Sequence, residues 1–216
     1  MYDYKRPIRR NDDEDDEDEG TGPKPFKIKF APVATAYKAF VNQPFADSRQ
    51  FEDLVEVLDV AGPNDVVEIK LTTPGGSLQA VLPVLAAIDA TNASVFVHAV
   101  SDVASAGTFL LMMADDVYIN PHVTIMFHQV TFGAFGQGNH VEDRVQHVQG
   151  ASKALLSQMY DGFFNPEELA AMFNGKEFWM GKEEFDRRYA ARTAYREAAM
   201  AASIVEEPPK RQRKKA

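Results

Sequence analysis

Two side chains in this sequence have the residue types of acyl-transfer chemistry. Ser105 lies in "DVASAGTFLLMMA" (102–114), among the small residues Ala104, Ala106 and Gly107. His128 closes the apolar stretch "VTIMFHQV" (123–130), just ahead of a glycine-rich loop. A serine hydroxyl is a poor nucleophile until a base accepts its proton, so Ser105 needs a histidine. Small neighbours would let a reacting carbonyl approach the backbone. Each residue also has a plainer reading: an isolated Ala-Ser-Ala-Gly usually caps or packs a helix, and a lone histidine in a strand is usually a satisfied core residue. The stretch is not the Gly-x-Ser-x-Gly elbow of the α/β hydrolases.

A third feature precedes both. In "LTTPGGS" (71–77) a strand runs into Pro-Gly-Gly and then into a helix. Backbone N–H groups left bare there can bind an anion or a developing oxyanion. No Gly-Lys-Ser/Thr follows, so the loop is not of the phosphate-cradling type. Alone, Pro-Gly-Gly is usually a turn. The order Gly-Gly, then Ser, then His at a strand end shifts the balance toward chemistry.

The remaining histidines read as structural or solvated. His98 lies within a strand and His122 follows a proline at a turn. His140 and His147, seven apart on a polar helix, miss the i, i+4 spacing of a chelating pair. With no cysteine in the chain, disulfides, thiolate metal sites and a cysteine nucleophile are excluded together.

The elements that must position these residues follow an alternating order. "FKIKF" (26–30) is apolar at every second position, a strand pattern. Helical spacing of Phe51, Leu54, Val55 and Leu58 predicts a helix over 48–62, with Ser48 as N-cap and Gly62 at its end. Strand 65–73, helix 78–91 (despite Pro83), strand 94–100 and a buried helix over 105–114 follow. Strands 116–121 and 123–130, a long polar helix over 139–160 and two further helices complete the reading. Strands alternating with helices imply α/β layers.

The chain of 216 residues is long enough for one good core. Eight consecutive acids in "NDDEDDEDEGTGPKP" (11–25) repel one another and bury nothing, which predicts a disordered arm. The net charge of −9 gives the body no basic face for phosphates, so nucleic acid is not an expected partner. The tail "PPKRQRKKA" is basic and short, and reads as a solubilising end. No apolar stretch reaches the ~20 residues that span a bilayer, and no apolar signal segment follows the first basic residues. No membrane partner is expected, and the cytoplasm fits.

The sequence resembles the proteolytic subunit of the Clp (caseinolytic) protease family over roughly 27–187. "EIKLTTPGGSL", "VASAGTFLLMMA", "YINPHVTIMFHQV" and "GAFGQG" match the family's motifs in order, with Val130 where proline is usual and Ser101 where the family has glycine. The resemblance implies a single α/β domain over 26–205, a Clp/crotonase-type spiral of ββα units with a helical handle over 131–160. The acidic arm (1–25) and basic tail (206–216) lie outside it. It places the nucleophile at Ser105 and the base at His128. In "EFWMGKEEF" (177–185) it places Glu177 where the family has the orienting Asp, with Asp161 and Asp186 as fallbacks. The oxyanion hole would be the N–H groups of Gly75 and Ala106. After Glu184 the family's Tyr-Gly-Leu-x-Asp is absent, and "FDRRYAARTAYREAAMAAS" continues as helix.

The implied activity is that of a serine endopeptidase acting on polypeptide substrates, without metal or organic cofactor, inside a homo-oligomer of stacked rings. A separate AAA+ unfoldase would consume any ATP. A head-maturation protease of a tailed phage, working in the host cytoplasm, fits the same pattern. Two alternatives belong to other classes: a catalytically silent assembly protein of the same fold, and a crotonase-like acyl-CoA enzyme. The second needs no Ser105–His128 pair, and no adenine-binding feature is recognisable.

Overall fold

The computed structural model describes residues 34–205. The acidic arm, the 26–30 strand and the basic tail lie outside the described residues. Among those described, one sheet holds six strands, in the order β1-β2-β3-β5-β6 with β4 also paired to β3. The strands are β1 (Ala36–Val41), β2 (Val66–Thr73), β3 (Ser94–Ala104), β4 (Asp116–Ile119), β5 (Ile125–Phe127) and β6 (Phe178–Met180). The helices are α1 (Glu52–Val60), α2 (Leu78–Ala90), α3 (Gly107–Met113), α4 (Gly138–Met159), α5 (Pro166–Phe173) and α6 (Lys182–Val205). All pairs are parallel except β5 with β6. This is the α/β architecture that the alternating pattern implies.

Period-2 alternation sets the core. In β2, Val67, Ile69, Leu71 and Thr73 are buried while the residues between them are only partly covered. Strand β1 repeats the pattern weakly through Tyr37, Ala39 and Val41, a signal the sequence reading passed over. A 3-10 turn, Ser48–Phe51, leads into α1. Its cap is Asp47 and not Ser48, because Asp47 and Gln50 form a reciprocal capping box across the turn. Pro83 is accommodated inside α2.

The long strand β3 determines where the site lies. Its first half pairs with β4, Phe96 to Ala99 against Asp116 to Ile119; its end pairs with β5, Val103 and Ala104 against Ile125 and Met126. The jog between β4 and β5 is fixed by Asn120, whose amide donates to Val100 O at 3.2 Å and whose Oδ1 lies 2.8 Å from His98 Nε2. His98 is thus a structural histidine. The strand runs four residues past the expected end at 100, because its last residues gain β5 as a partner.

No helix among the described residues is long and apolar enough to cross a membrane. Helix α4 is mostly exposed, burying only Leu156 and Met159 at its C-terminal end. Helix α6 runs 24 residues through the stretch expected to continue as helix.

Candidate active site

Ser105 does not begin the following helix. Strand β3 ends at Ala104, α3 starts at Gly107, and Ser105 sits between them with φ +55. A left-handed backbone costs a non-glycine residue about 1–2 kcal/mol. The turn is held by bonds on both sides. Ser105 N–H donates to Met126 O at 2.8 Å, and Ser105 O accepts from Thr108 N–H at 2.9 Å and Thr108 Oγ1 at 2.7 Å. The first of these ties the turn directly to β5.

Strand β5 supplies the partner by alternation. Ile125 and Phe127 enter the core, while Met126 and His128 line the cleft above Ser105. His128 Nε2 then lies 2.6 Å from Ser105 Oγ, with both residues half-buried. That separation is within the range for nucleophile-to-base proton transfer.

The Pro-Gly-Gly turn packs against the same spot. A Cβ on Gly75 (φ +86) would fall 2.6 Å from Ala104 O and 2.7 Å from Ser105 Cβ. A Cβ on Gly76 (φ +142) would fall 2.2 Å from Phe45 O. Both positions therefore require glycine. Their amides differ in use. Gly75 is buried and donates its N–H to Thr73 Oγ1 at 3.0 Å, so that donor is already engaged within the turn. Gly76 is exposed and lines the cleft with Ala106. Neither Gly76 nor Ala106 gives its N–H to an acceptor among the described residues. The Gly75 amide, expected as an oxyanion donor, is thus bonded to Thr73, while the next amide of the turn is not.

Glu177 is adjacent but not engaged. The β5–β6 register runs Ile125↔Met180, Met126↔Trp179, Phe127↔Phe178, and His128 and Glu177 are the residues that follow and precede the last pair. The carboxylate is nevertheless exposed and accepts from Trp179 Nε1 at 3.0 Å. Of the fallbacks, Asp186 is paired with Lys182 at 2.6 Å. No carboxylate is bonded to His128 among the described residues.

The profile of the Clp protease family matches residues 38–185, which include β3, the Ser105 turn, β5, β6 and the start of α6. The chain belongs to the Clp protease family. This Clp-family chain is 25% identical over 129 residues to an ATP-dependent Clp protease proteolytic subunit of Bacteroides thetaiotaomicron, covering 59% of each chain. It is 22% identical over 158 residues to ATP-dependent Clp protease proteolytic subunit 1 of Chlamydia caviae, covering 70% of this chain and 83% of that one.

The cleft above Ser105 in this Clp-family chain measures about 720 Å³. Leu78, Leu82, Phe109, Val130 and Leu155 give it apolar walls, and Pro74, Ser77 and His147 border it. His147, expected to be structural or solvated, is exposed but faces this cleft. Its helical spacing alone could not say which side of α4 meets the site. Among the described residues no group of three or more His, Asp or Glu stands close enough to hold a metal ion.

Proposed function

We propose that this Clp-family chain is a serine endopeptidase acting through an acyl-enzyme. The observation that carries the reading is the 2.6 Å approach of His128 Nε2 to a Ser105 hydroxyl presented on a left-handed turn. Ser105 Oγ attacks the scissile carbonyl carbon while His128 Nε2 takes the hydroxyl proton. The carbonyl oxygen becomes the oxyanion and accepts from the N–H groups of Ala106 and Gly76. Loss of one such donor typically costs about 2.7–4 kcal/mol of transition-state stabilisation. Collapse of the intermediate breaks the C–N bond, and His128 returns the proton to the leaving amine. Water, deprotonated by His128, then hydrolyses the ester and restores Ser105.

Glu177 is the orienting acid in this reading, since it lies at the end of the β5–β6 ladder where His128 leaves β5. It acts once its carboxylate leaves Trp179 for His128 Nδ1. The cleft accepts an extended polypeptide. The names of the similar proteins describe subunits of an ATP-dependent protease; by likeness, this chain works as a homo-oligomer in the cytoplasm, with an AAA+ unfoldase as its candidate partner.

A fluorophosphonate probe tests the reading. The expected result is one adduct at Ser105, absent in Ser105→Ala and His128→Ala, with peptide hydrolysis lost in parallel. A folded, assembled protein that neither labels nor cleaves peptides overturns it. That outcome would favour the second reading, a silent assembly protein, which draws on the missing carboxylate contact at His128.

A further inference from the structure

Two buried hydroxyls lie behind the Ser105 turn, in surroundings that do not need them for packing. Thr108 is fully buried and Tyr160 is 1% exposed. The Tyr160 ring packs among Phe109, Phe127 and Phe164, with centroids 5.3–5.7 Å away. Valine and phenylalanine would fill these two positions without burying polar groups, which is costly unless each is bonded. Their bonds point one way. Thr108 Oγ1 donates its single proton to Ser105 O at 2.7 Å, so the 2.8 Å contact between Thr108 Oγ1 and Tyr160 Oη is made by the tyrosine proton. Burial pushes the Tyr160 phenol above its ordinary pKa, which keeps that proton in place.

The far end of this chain of bonds is also anchored. Tyr160 caps α4. The carbonyls on either side of it, Met159 O and Asp161 O, accept from Arg192 of α6 at 3.2 Å each. Arg192 is buried and donates a third bond, 3.1 Å, to Met112 O near the end of α3. Arg192 lies in the helical stretch beyond Glu184, where the sequence leaves the family's pattern.

We propose that Thr108 and Tyr160 are positioning residues for the nucleophile: Tyr160 Oη fixes the Thr108 hydroxyl, which holds the Ser105 carbonyl and so keeps the left-handed turn aimed at His128. The proposal rests on Ser105 being the nucleophile. In it the long helix α6 secures the active-site turn through Arg192 and the Tyr160 cap.

The test compares Thr108→Val, Thr108→Ser, Tyr160→Phe and the Thr108→Val/Tyr160→Phe double variant with the unaltered full chain. Two readouts are used: fluorophosphonate labelling with peptide kinetics, and crystal structures. Thr108→Val is expected to lower the labelling rate and kcat about tenfold with KM unchanged. Thr108→Ser restores the rate, Tyr160→Phe costs a few-fold, and the double variant is no slower than Thr108→Val alone. In the Thr108→Val crystal structure, the Ser105 φ leaves the left-handed region or the Ser105–His128 bond opens. Unaltered labelling, or a Thr108→Val structure that keeps both the turn and the bond, overturns the relay. If no form of the chain labels, the peptidase reading fails and the crystal structures alone decide the positioning role. Should Thr108→Val fail to fold, Tyr160→Phe decides by the same two readouts.

Discussion

Glu177 immediately precedes β6 and His128 immediately follows β5, each one residue beyond the last ladder pair, Phe127↔Phe178, and the Glu177 carboxylate accepts from the Trp179 indole at 3.0 Å. The carboxylate's one bond is to the indole and none is to His128, so the indole N–H can hold the acid back from the imidazole. Removing the indole N–H should therefore release the acid toward His128. Trp179→Phe is expected to speed fluorophosphonate labelling of Ser105, and Glu177→Ala to slow it by about tenfold or more. The gain from Trp179→Phe should vanish in the Glu177→Ala background. Equal rates in all four proteins would remove Glu177 from the mechanism.

The two glycines of the turn should fail in different ways. A Gly75→Ala methyl meets Ala104 O at 2.6 Å and Ser105 Cβ at 2.7 Å, so it presses on Ser105 itself. A Gly76→Ala methyl instead meets the Phe45 backbone, 2.2 Å from its carbonyl oxygen. Both variants should lose thermal stability, since backbone atoms have to shift. Gly75→Ala should also shift the Ser105 backbone in a crystal structure. If Gly75→Ala retains the Ser105–His128 geometry and the normal labelling rate, the turn does not buttress Ser105.

Much of this site is legible in the sequence, and the reasons are physical. His128 falls on the cleft face because β5 alternates, and Ile125 and Phe127 claim the core. Ser105 stands out through its small neighbours, of which Gly107 is indispensable: a Cβ there would meet Thr73 Cγ2 at 2.4 Å. What stays hidden depends on contacts between distant positions. Whether Gly75 or Gly76 offers a free amide is settled by the Thr73 hydroxyl, and no spacing rule encodes that bond. The Thr108–Tyr160 pair joins residues 52 apart. The direction of the Glu177 carboxylate depends on an exposed indole two residues away. Strand β1 was missed because Ala39 gives its alternation little hydrophobic contrast.

The junction of α5 and α6 should respond to acid. Arg188 donates to Glu168 at 2.7 and 2.9 Å and to Glu184 at 2.6 Å. The bond from Arg188 holds Glu168 below its ordinary pKa of 4.5, with burial opposing; bonds from Arg187 and Arg188 do the same for Glu184. A carboxylate with a depressed folded pKa stabilises the fold above its unfolded value, and that stabilisation is lost as pH falls through the folded value. Both groups are partly solvated, so the pair should contribute no more than about 1 kcal/mol. Melting temperatures between pH 6 and pH 3 should fall more steeply for the unaltered chain than for Arg188→Met. Parallel curves would mean that the network adds no pH-dependent stability.

The left-handed turn at Ser105 carries a stability cost that substitution can expose. Ser105→Ala and Ser105→Gly both delete the hydroxyl, but only glycine adopts φ +55 without a steric penalty. Relief of about 1–2 kcal/mol of strain exceeds the 0.5–1 kcal/mol that glycine's extra unfolded-state freedom costs (roughly, from helix and strand interiors). Ser105→Gly should therefore melt at a higher temperature than Ser105→Ala, although neither protein labels. The comparison isolates the backbone, because both variants lose the same bond to His128. A lower melting temperature for Ser105→Gly would show that the left-handed φ costs a non-glycine residue less here than glycine's extra unfolded-state freedom, so that the turn stores no net strain.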